Sequence, residues 1–165
     1  MPKDEEYGQE IVILVFDLLG EQYALEVEDV REIVRISEQI TRVPNAPPYV
    51  RGVINLRGTV IPIMDVSLKL GGEALEFGTR SRIVVVEHRD VAFGVIVDGV
   101  REVRVIGKGQ IEPADSVDSN ISREHLKGVA KIDDGRLIVL LDVAGLFEIE
   151  SFLGEQEVAE GGTSR

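Results

Sequence analysis

Short apolar runs separated by polar turns dominate the chain, and helical periodicity is confined to brief segments. Continuous apolar runs at residues 11–16 and 83–86 predict buried strands. Residues 23–27 and 100–105 alternate between apolar and polar positions, as half-buried strands do, and 91–97 forms a further return strand. The pattern therefore predicts an all-β protein with only short helices.

The stretch 52–66 is the part of the chain around which we expect the rest to be arranged. Two apolar segments flank a polar tip at 55–58, Asn-Leu-Arg-Gly, in the pattern of a hairpin. Gly58 suits the turn because glycine adopts a positive φ without strain. Asp65 closes the second strand and provides an N-cap for a short helix. The tip carries no reactive group, so we interpret this hairpin as a recognition element that presents Arg57.

The remaining segments are shorter or less regular. Residues 28–35 combine apolar positions at helical spacing with a polar outer side, which predicts a short helix or helical turn running into a strand. Residues 37–48 contain prolines that force extended or turn geometry, and 107–122 is a long polar segment. Strands at 128–132 and 137–141 flank an Asp-Asp-Gly turn, and a short helix follows.

Two parts of the chain resemble each other and keep the same order. The pattern from Tyr23 to Ile33 returns from Phe93 to Val103, and residues 58–66 return at 135–143. An internal repeat of this length predicts two similar lobes, each with enough short strands for a small closed barrel. The two hairpin tips differ, because the second is an ordinary Asp-Gly turn whereas the first carries Arg57. That contrast is the strongest residue-level indication of function.

Composition narrows the classes of function. The 165 residues are 44% hydrophobic and include no Cys, which excludes disulfides, thiol catalysis and Cys-ligated metals. No long apolar run is present and the first ten residues are acidic, so we expect neither a membrane span nor a signal peptide, and a cytoplasmic location. A formal net charge of -12 argues against binding to nucleic acid.

Motifs for catalysis or metal binding are not found. His88 and His125 are not spaced as metal ligands, and we expect both at the surface. Residues 133–134 fit a turn better than a cation site, and Gly107-Lys108-Gly109 lacks the frame of a phosphate loop. We therefore expect no enzymatic activity, no cofactor and no metal.

Several motifs together resemble the CheW family of bacterial chemotaxis coupling proteins, over residues 10–148. They are Val30-Arg31-Glu32-Ile33, the loop 43–47 (Val-Pro-Asn-Ala-Pro), the segment 50–58 followed by Ile61-Pro62-Ile63, and the spacing of Val95, Val97 and Val100. The same module occurs as the regulatory domain of the histidine kinase CheA and in the CheV adaptor. No kinase or receiver sequence accompanies it here, which favours a stand-alone coupler.

The resemblance implies two SH3-like five-stranded β-barrel lobes packed side by side, the first at about 20–80 and the second at about 81–140. The ends of the domain would cross between the lobes, and 1–9 and 151–165 would be flexible tails. It also implies a non-catalytic scaffold that joins the cytoplasmic tips of methyl-accepting chemoreceptors to the regulatory domain of CheA. Such a protein would be monomeric when free and recruited to receptor arrays at the membrane without inserting into it.

The resemblance also assigns residues to the two partners. Receptor binding is expected at Val30, Glu32, Ile33, Gly52, Asn55, Leu56, Arg57 and Gly58. Kinase binding is expected at Arg51, Ser116 and Val117, although Val117 stands where the family has an aromatic residue. Physically, we expect Arg57 to pair with Glu32, and either Val30 or Ile33 to anchor a receptor helix if it stays partly exposed.

Two other functions fit parts of the pattern. A CheV-like or kinase-derived regulatory module of another pathway would share the fold, but the attached receiver or kinase sequence is missing. A small-ligand-binding or catalytic β-barrel could use the groove between the lobes, but the sequence offers no convergent cluster of titratable residues.

Overall fold

A computed structural model describes residues 9–36, 40–113, 125–132 and 135–146 of the chain. These parts form strands with only short helical segments, which confirms the predicted all-β class. The strands are β1 Glu10–Leu18, β2 Glu21–Glu26, β3 Val30–Arg35, β4 Val50–Leu56, β5 Thr59–Met64, β6 Arg82–His88, β7 Val91–Val97, β8 Gly99–Gly107, β9 Ile111–Pro113, β10 Leu126–Lys131 and β11 Leu137–Leu141. The helical segments are the 3-10 turns Val27–Asp29 and Lys108–Gln110, the α-helix α1 Val66–Lys69, and a helical turn over 143–146.

The strands form two sheets. Sheet A has six strands in the order β8-β1-β2-β11-β10-β9, and sheet B has five in the order β3-β6-β7-β5-β4. Most neighbours are antiparallel, but β2 pairs with β11 and β5 pairs with β7 in parallel. The strand β9 was not predicted, since residues 107–122 were interpreted as a long polar segment. Three residues are too few to show alternation.

Each sheet contains strands from both sequence repeats. After the 3-10 turn Val27–Asp29 the chain leaves sheet A, and β3 pairs with β6 of the second repeat. In return, β8 of the second repeat pairs with β1. Each sheet therefore takes strands from both of the expected lobe ranges, 20–80 and 81–140, because sequence similarity identifies repeated elements but not the strands with which they pair.

A common core joins the two sheets. Its largest cluster contains Phe16 and Leu25 from sheet A together with Ile63 and Phe93 from sheet B, and each of these four side chains is fully buried. Phe16 also stacks on Tyr23, with ring centroids 6.4 Å apart. One face of sheet A meets sheet B in this cluster, whereas a second cluster, which contains Ile13, Ile106 and Ile138, is formed by sheet A alone.

The local predictions around the first hairpin are confirmed. Gly58 has φ +88°, and β4 and β5 pair antiparallel on either side of the turn. Asp65 is the N-cap of α1, where its side chain accepts a hydrogen bond from the N–H of Leu68. The segment 28–35 begins as a 3-10 turn and continues as β3, as its mixed pattern indicated.

Candidate functional site

The tip of the β4–β5 hairpin lies against the edge strand β3. Arg57 donates a hydrogen bond to the Glu32 carboxylate and forms an ion pair with it, as the sequence predicted. Arg57 holds a positive φ of 51°, which is uncommon for a residue with a Cβ. The side chain of Asn55 stabilises the turn by accepting a hydrogen bond from the Gly58 N–H at 2.9 Å. The hairpin therefore holds one guanidinium in a fixed position beside β3.

Each residue of this pair stabilises the charged form of the other. The hydrogen bond from Arg57 is the main reason that the pKa of Glu32 lies below its ordinary value, and the same bond raises the pKa of Arg57. Both groups are therefore ionised at neutral pH. The Arg57 side chain is 69% exposed, so the pair is open to solvent and contributes little to stability. Its charges remain accessible to a binding partner.

Apolar residues surround the pair, and they divide into core and surface positions. Val30 and Leu56 pack against the main core. Ile33 is 41% exposed, and Val60 on β5 is 63% exposed. Both anchor candidates meet the condition of partial exposure, Val30 as a half-buried residue and Ile33 as an exposed one.

Gly52 belongs to the fold rather than to the surface of this site. It is buried at a bulge in β4, where a Cβ atom would come within 2.3 Å of the Thr41 carbonyl oxygen. No partner can contact a buried glycine directly. Gly52 therefore acts by allowing the chain at residue 41 to approach β4.

Arg51 lies at the opposite end of β4 from the hairpin tip. Its Nη1 donates to the Asp65 carboxylate at 2.9 Å and to the Leu75 carbonyl at 3.2 Å. The Phe77 ring lies against the guanidinium, 4.8 Å from ring centroid to Cζ. Asp65 is fully buried, so this pair is part of the structure of sheet B. The other two expected kinase-binding residues, Ser116 and Val117, lie outside the described residues.

An exposed apolar strip on sheet A was not predicted from the sequence. Val103 and Val105 on the edge strand β8 are 63% and 55% exposed, and Val12, which pairs with Val105 on β1, is 40% exposed. The alternation of residues 100–105 was visible in the sequence, but it does not tell which face of a strand stays uncovered. By the repeat, Val103 corresponds to Ile33.

Histidine and metal chemistry do not define a site in the described parts of the chain. His125 is 4% exposed, so its predicted surface position is wrong. Its backbone carbonyl accepts a hydrogen bond from the Asp142 N–H. Within 9–36, 40–113, 125–132 and 135–146, no group of three or more His, Cys, Asp or Glu side chains could hold a metal ion. No described helix is long and apolar enough to cross a membrane.

An all-β domain that displays an exposed ion pair beside exposed apolar strand residues has the features of a protein-binding module. A family model described as the CheW-like domain matches residues 12–151, and the chain belongs to that family.

Individual relatives extend over nearly the whole domain. The chemotaxis protein CheW of Klebsiella aerogenes is 31% identical over 94% of this chain and 92% of its own length. The chemotaxis protein CheW of Rhizobium meliloti is 35% identical over 87% of this chain and 90% of its own. The crystal structure of the scaffolding protein TtCheW from Thermoanaerobacter tengcongensis matches with a TM-score of 0.74 and 36% identity, covering 81% of this chain and 85% of that one.

Proposed function

We propose that this protein is a non-catalytic adaptor of bacterial chemotaxis, which couples methyl-accepting chemoreceptors to the histidine kinase CheA in signalling arrays. The observation that carries the proposal is the ionised Arg57–Glu32 pair at the edge strand β3, which also bears the exposed side chain of Ile33. The scaffold role of the family supports the same function. In this function the protein works in the cytoplasm and reaches the membrane only through its receptor partner.

The receptor surface of this proposal comprises Val30, Glu32, Ile33, Asn55, Leu56, Arg57 and Gly58, with Gly52 supporting the hairpin from below. A receptor helix would place an apolar side chain on Ile33, as helix recognition by a groove requires. The Arg57 guanidinium offers several N–H donors to a carboxylate or a carbonyl of that helix. Glu32 keeps the guanidinium in place while leaving most of it exposed.

The kinase surface is proposed around Arg51, Ser116 and Val117. Arg51 is separated from Arg57 by six residues along β4 and its turn, and a strand rises about 3.3 Å per residue. The two arginines therefore serve different surfaces, and a partner bound at one need not displace a partner bound at the other. A fixed Arg51 would present a rigid contact to the kinase domain, at little loss of side-chain entropy.

The test measures binding of the purified protein to a chemoreceptor cytoplasmic fragment and, separately, to the CheA regulatory domain, by titration calorimetry. Arg57→Ala and Ile33→Ala are the test variants. Lys131→Ala is the matched control, since Lys131 forms a similarly exposed strand-borne ion pair with Glu112 on sheet A, at 3.1 Å. Circular dichroism establishes that each variant is folded.

We expect the unaltered protein to bind both partners, and Arg57→Ala and Ile33→Ala to lose receptor binding by tenfold or more while Lys131→Ala binds normally. Kinase binding should survive in all three variants. Equal receptor affinity in Arg57→Ala and the unaltered protein would overturn the assignment of the receptor surface, and failure to bind either partner would overturn the adaptor function.

A further inference from the structure

A cavity of about 830 Å³ lies beside sheet B, between the proline-containing loop 40–48 and the segment that follows α1. Val50 and Leu68 form part of its apolar lining, and Pro44 and Pro47 line the loop side. This volume accommodates two or three amino-acid side chains and lies within the range of protein ligand sites. The receptor surface is not part of the lining.

The loop that forms one wall is restricted in conformation before any ligand arrives. Pro44, Pro47 and Pro48 each fix a backbone φ angle. A backbone bridge between Thr41 and Val53 ties the start of the loop to β4, with two hydrogen bonds of 2.8 Å. The Val50 N–H also donates to the Pro47 carbonyl at 2.9 Å. A wall held in this way loses little entropy when a ligand binds.

The charge of the cavity is opposite to that of the whole chain. Arg42 and Arg51 both line it, and none of the described lining residues is acidic, although the chain has a net charge of -12. Glu73 and Glu76 occur in the neighbouring segment but are not part of the lining. Both hydrogen bonds that Arg51 makes to described residues use Nη1, so its Nε and Nη2 groups can donate to an outside acceptor.

The corresponding place in the second repeat also carries a cation, which differs from Arg51 in the position of its acid partner. The register of β10 shifts at Lys127, as the register of β4 shifts at Arg51. Lys127 lines a smaller cavity of about 330 Å³. There the acid that pairs with the cation, Glu26, is itself part of the lining. At Arg51 the pairing acid, Asp65, is fully buried beneath the cavity instead. Lys108 and Lys127 against Glu26 give the smaller cavity a positive lining as well, so the larger cavity differs in its volume and in the burial of its acid rather than in the sign of its charge.

We propose that this cavity binds a peptide segment of a partner protein in which a carboxylate side chain lies next to a large apolar side chain. The carboxylate contacts Arg42 and the free N–H groups of Arg51, and the apolar side chain occupies the space over Val50 and Leu68. The exposed ring of Phe77, which belongs to the segment that follows α1, covers the bound peptide from that side of the cavity. The cavity shares Arg51 with the proposed kinase surface, but its shape and charge would select such a peptide whether or not the protein is an adaptor.

The experiment selects binders from a phage-displayed library of random eight-residue peptides on the immobilised full-length protein. The affinity of each enriched peptide is then measured by fluorescence anisotropy for the unaltered protein, Arg42→Glu and Phe77→Ala. Lys108→Glu is the matched control, since Lys108 is equally exposed, lines the smaller cavity and undergoes the same change of charge.

We expect enriched peptides to combine Asp or Glu with a neighbouring Leu, Ile or Phe. Their binding should weaken about tenfold or more in Arg42→Glu, because a like charge then faces the carboxylate, and should also weaken in Phe77→Ala. Lys108→Glu should bind as the unaltered protein does. Absence of enrichment, enrichment of peptides without acidic residues, or equal loss in Arg42→Glu and Lys108→Glu would each overturn the proposal.

Discussion

The first repeat supplies β1 to β5 and the second supplies β6 to β11, and their strands occupy corresponding positions in the two sheets. Each repeat begins with a hairpin, sends its third strand to the first hairpin of the other repeat, and ends with a second hairpin. Even the irregularities correspond. The pairing shifts register at Arg31 and at Arg101, and again at Arg51 and at Lys127.

The ion pairs between β3 and β6 and between β8 and β1 also correspond in the two repeats. Arg31 on β3 pairs with Glu87 on β6 at 3.1 Å, and Arg101 on β8 pairs with Asp17 on β1 at 2.6 Å. Each arginine sits at a register shift in the third strand of its repeat, and each acid lies in the first strand of the other repeat. Features that occur twice in this way belong to the framework.

Features that occur once are those that distinguish the two repeats. The Arg57–Glu32 pair and the positively charged cavity both belong to the first repeat, and the sequence at the second hairpin tip offers two aspartates instead of an arginine. Asp65 is fully buried beside Arg51, whereas the corresponding Asp142 is only partly buried. The proposed receptor surface lies on the first repeat, whereas two of the proposed kinase residues, Ser116 and Val117, belong to the second repeat in sequence.

The largest effect is expected from separating the repeats. Because every sheet needs strands from both, fragments 1–78 and 79–165 should each fail to fold alone but should assemble when mixed. The cut lies in the linker between α1 and β6, where residues 76–80 are exposed, and it interrupts the turn in which the Ser81 N–H donates to the Gly78 carbonyl but no strand pairing. Circular dichroism and size-exclusion chromatography of the separate and mixed fragments measure the outcome.

A control with the cut at residue 94 divides β7 and should prevent assembly, since β7 lies between β6 and β5 in sheet B. A single fragment that unfolds cooperatively on its own would show that a repeat is an independent domain and would contradict the exchanged pairing.

The next effect in size concerns the two corresponding aspartates. Asp65→Ala removes the partner of Arg51 and the acceptor for the N–H groups of Leu68 and Leu75, at 3.3 and 3.0 Å. Each buried donor left without its acceptor costs about 1–3 kcal/mol, and the lost ion pair with the partly exposed Arg51 adds to this. Asp142→Ala removes one described cap, to the Ala144 N–H at 2.9 Å, for which about 0.5–2 kcal/mol is typical.

Urea unfolding of both variants gives the difference directly, and Asp65→Asn shows how much of it comes from charge. Equal destabilisation by Asp65→Ala and Asp142→Ala would mean that burial of Asp65 does not distinguish the repeats.

Much of this framework could be predicted from the sequence because its signals are local. Apolar runs and turn residues located most strands, and the turn residues around Gly58 and the cap at Asp65 were predicted correctly. The pairing of Arg57 with Glu32 was also predicted, since the repeat showed an arginine that no turn requires.

What the sequence did not show depends on long-range pairing. The exchange of β3 and β8 between sheets follows from tertiary contacts that a repeat pattern does not contain. The burial of His125 and the exposure of Val103 likewise depend on which neighbours cover them. The cavity beside Arg51 arises where a loop and a linker meet, so neither segment alone indicates it.

The smallest effect on stability, and the most specific one, is expected at the Arg57–Glu32 pair. The folded protein lowers the pKa of Glu32, chiefly through the Arg57 hydrogen bond. The contribution of the pair to folding stability is therefore fully present above the ordinary pKa of 4.5. It is lost as the pH falls through the lowered pKa of the folded state. In Arg57→Ala the titration of Glu32 should move up toward 4.5, with little change in unfolding because the pair is exposed. Carbon-13 NMR of the Glu32 carboxyl measures this, with Arg104→Ala as the control that alters an arginine of the second repeat. If Glu32 titrated at its ordinary value in the unaltered protein, the guanidinium would not be held beside Glu32 in solution, and the first hairpin tip would present a mobile arginine instead of a fixed ion pair.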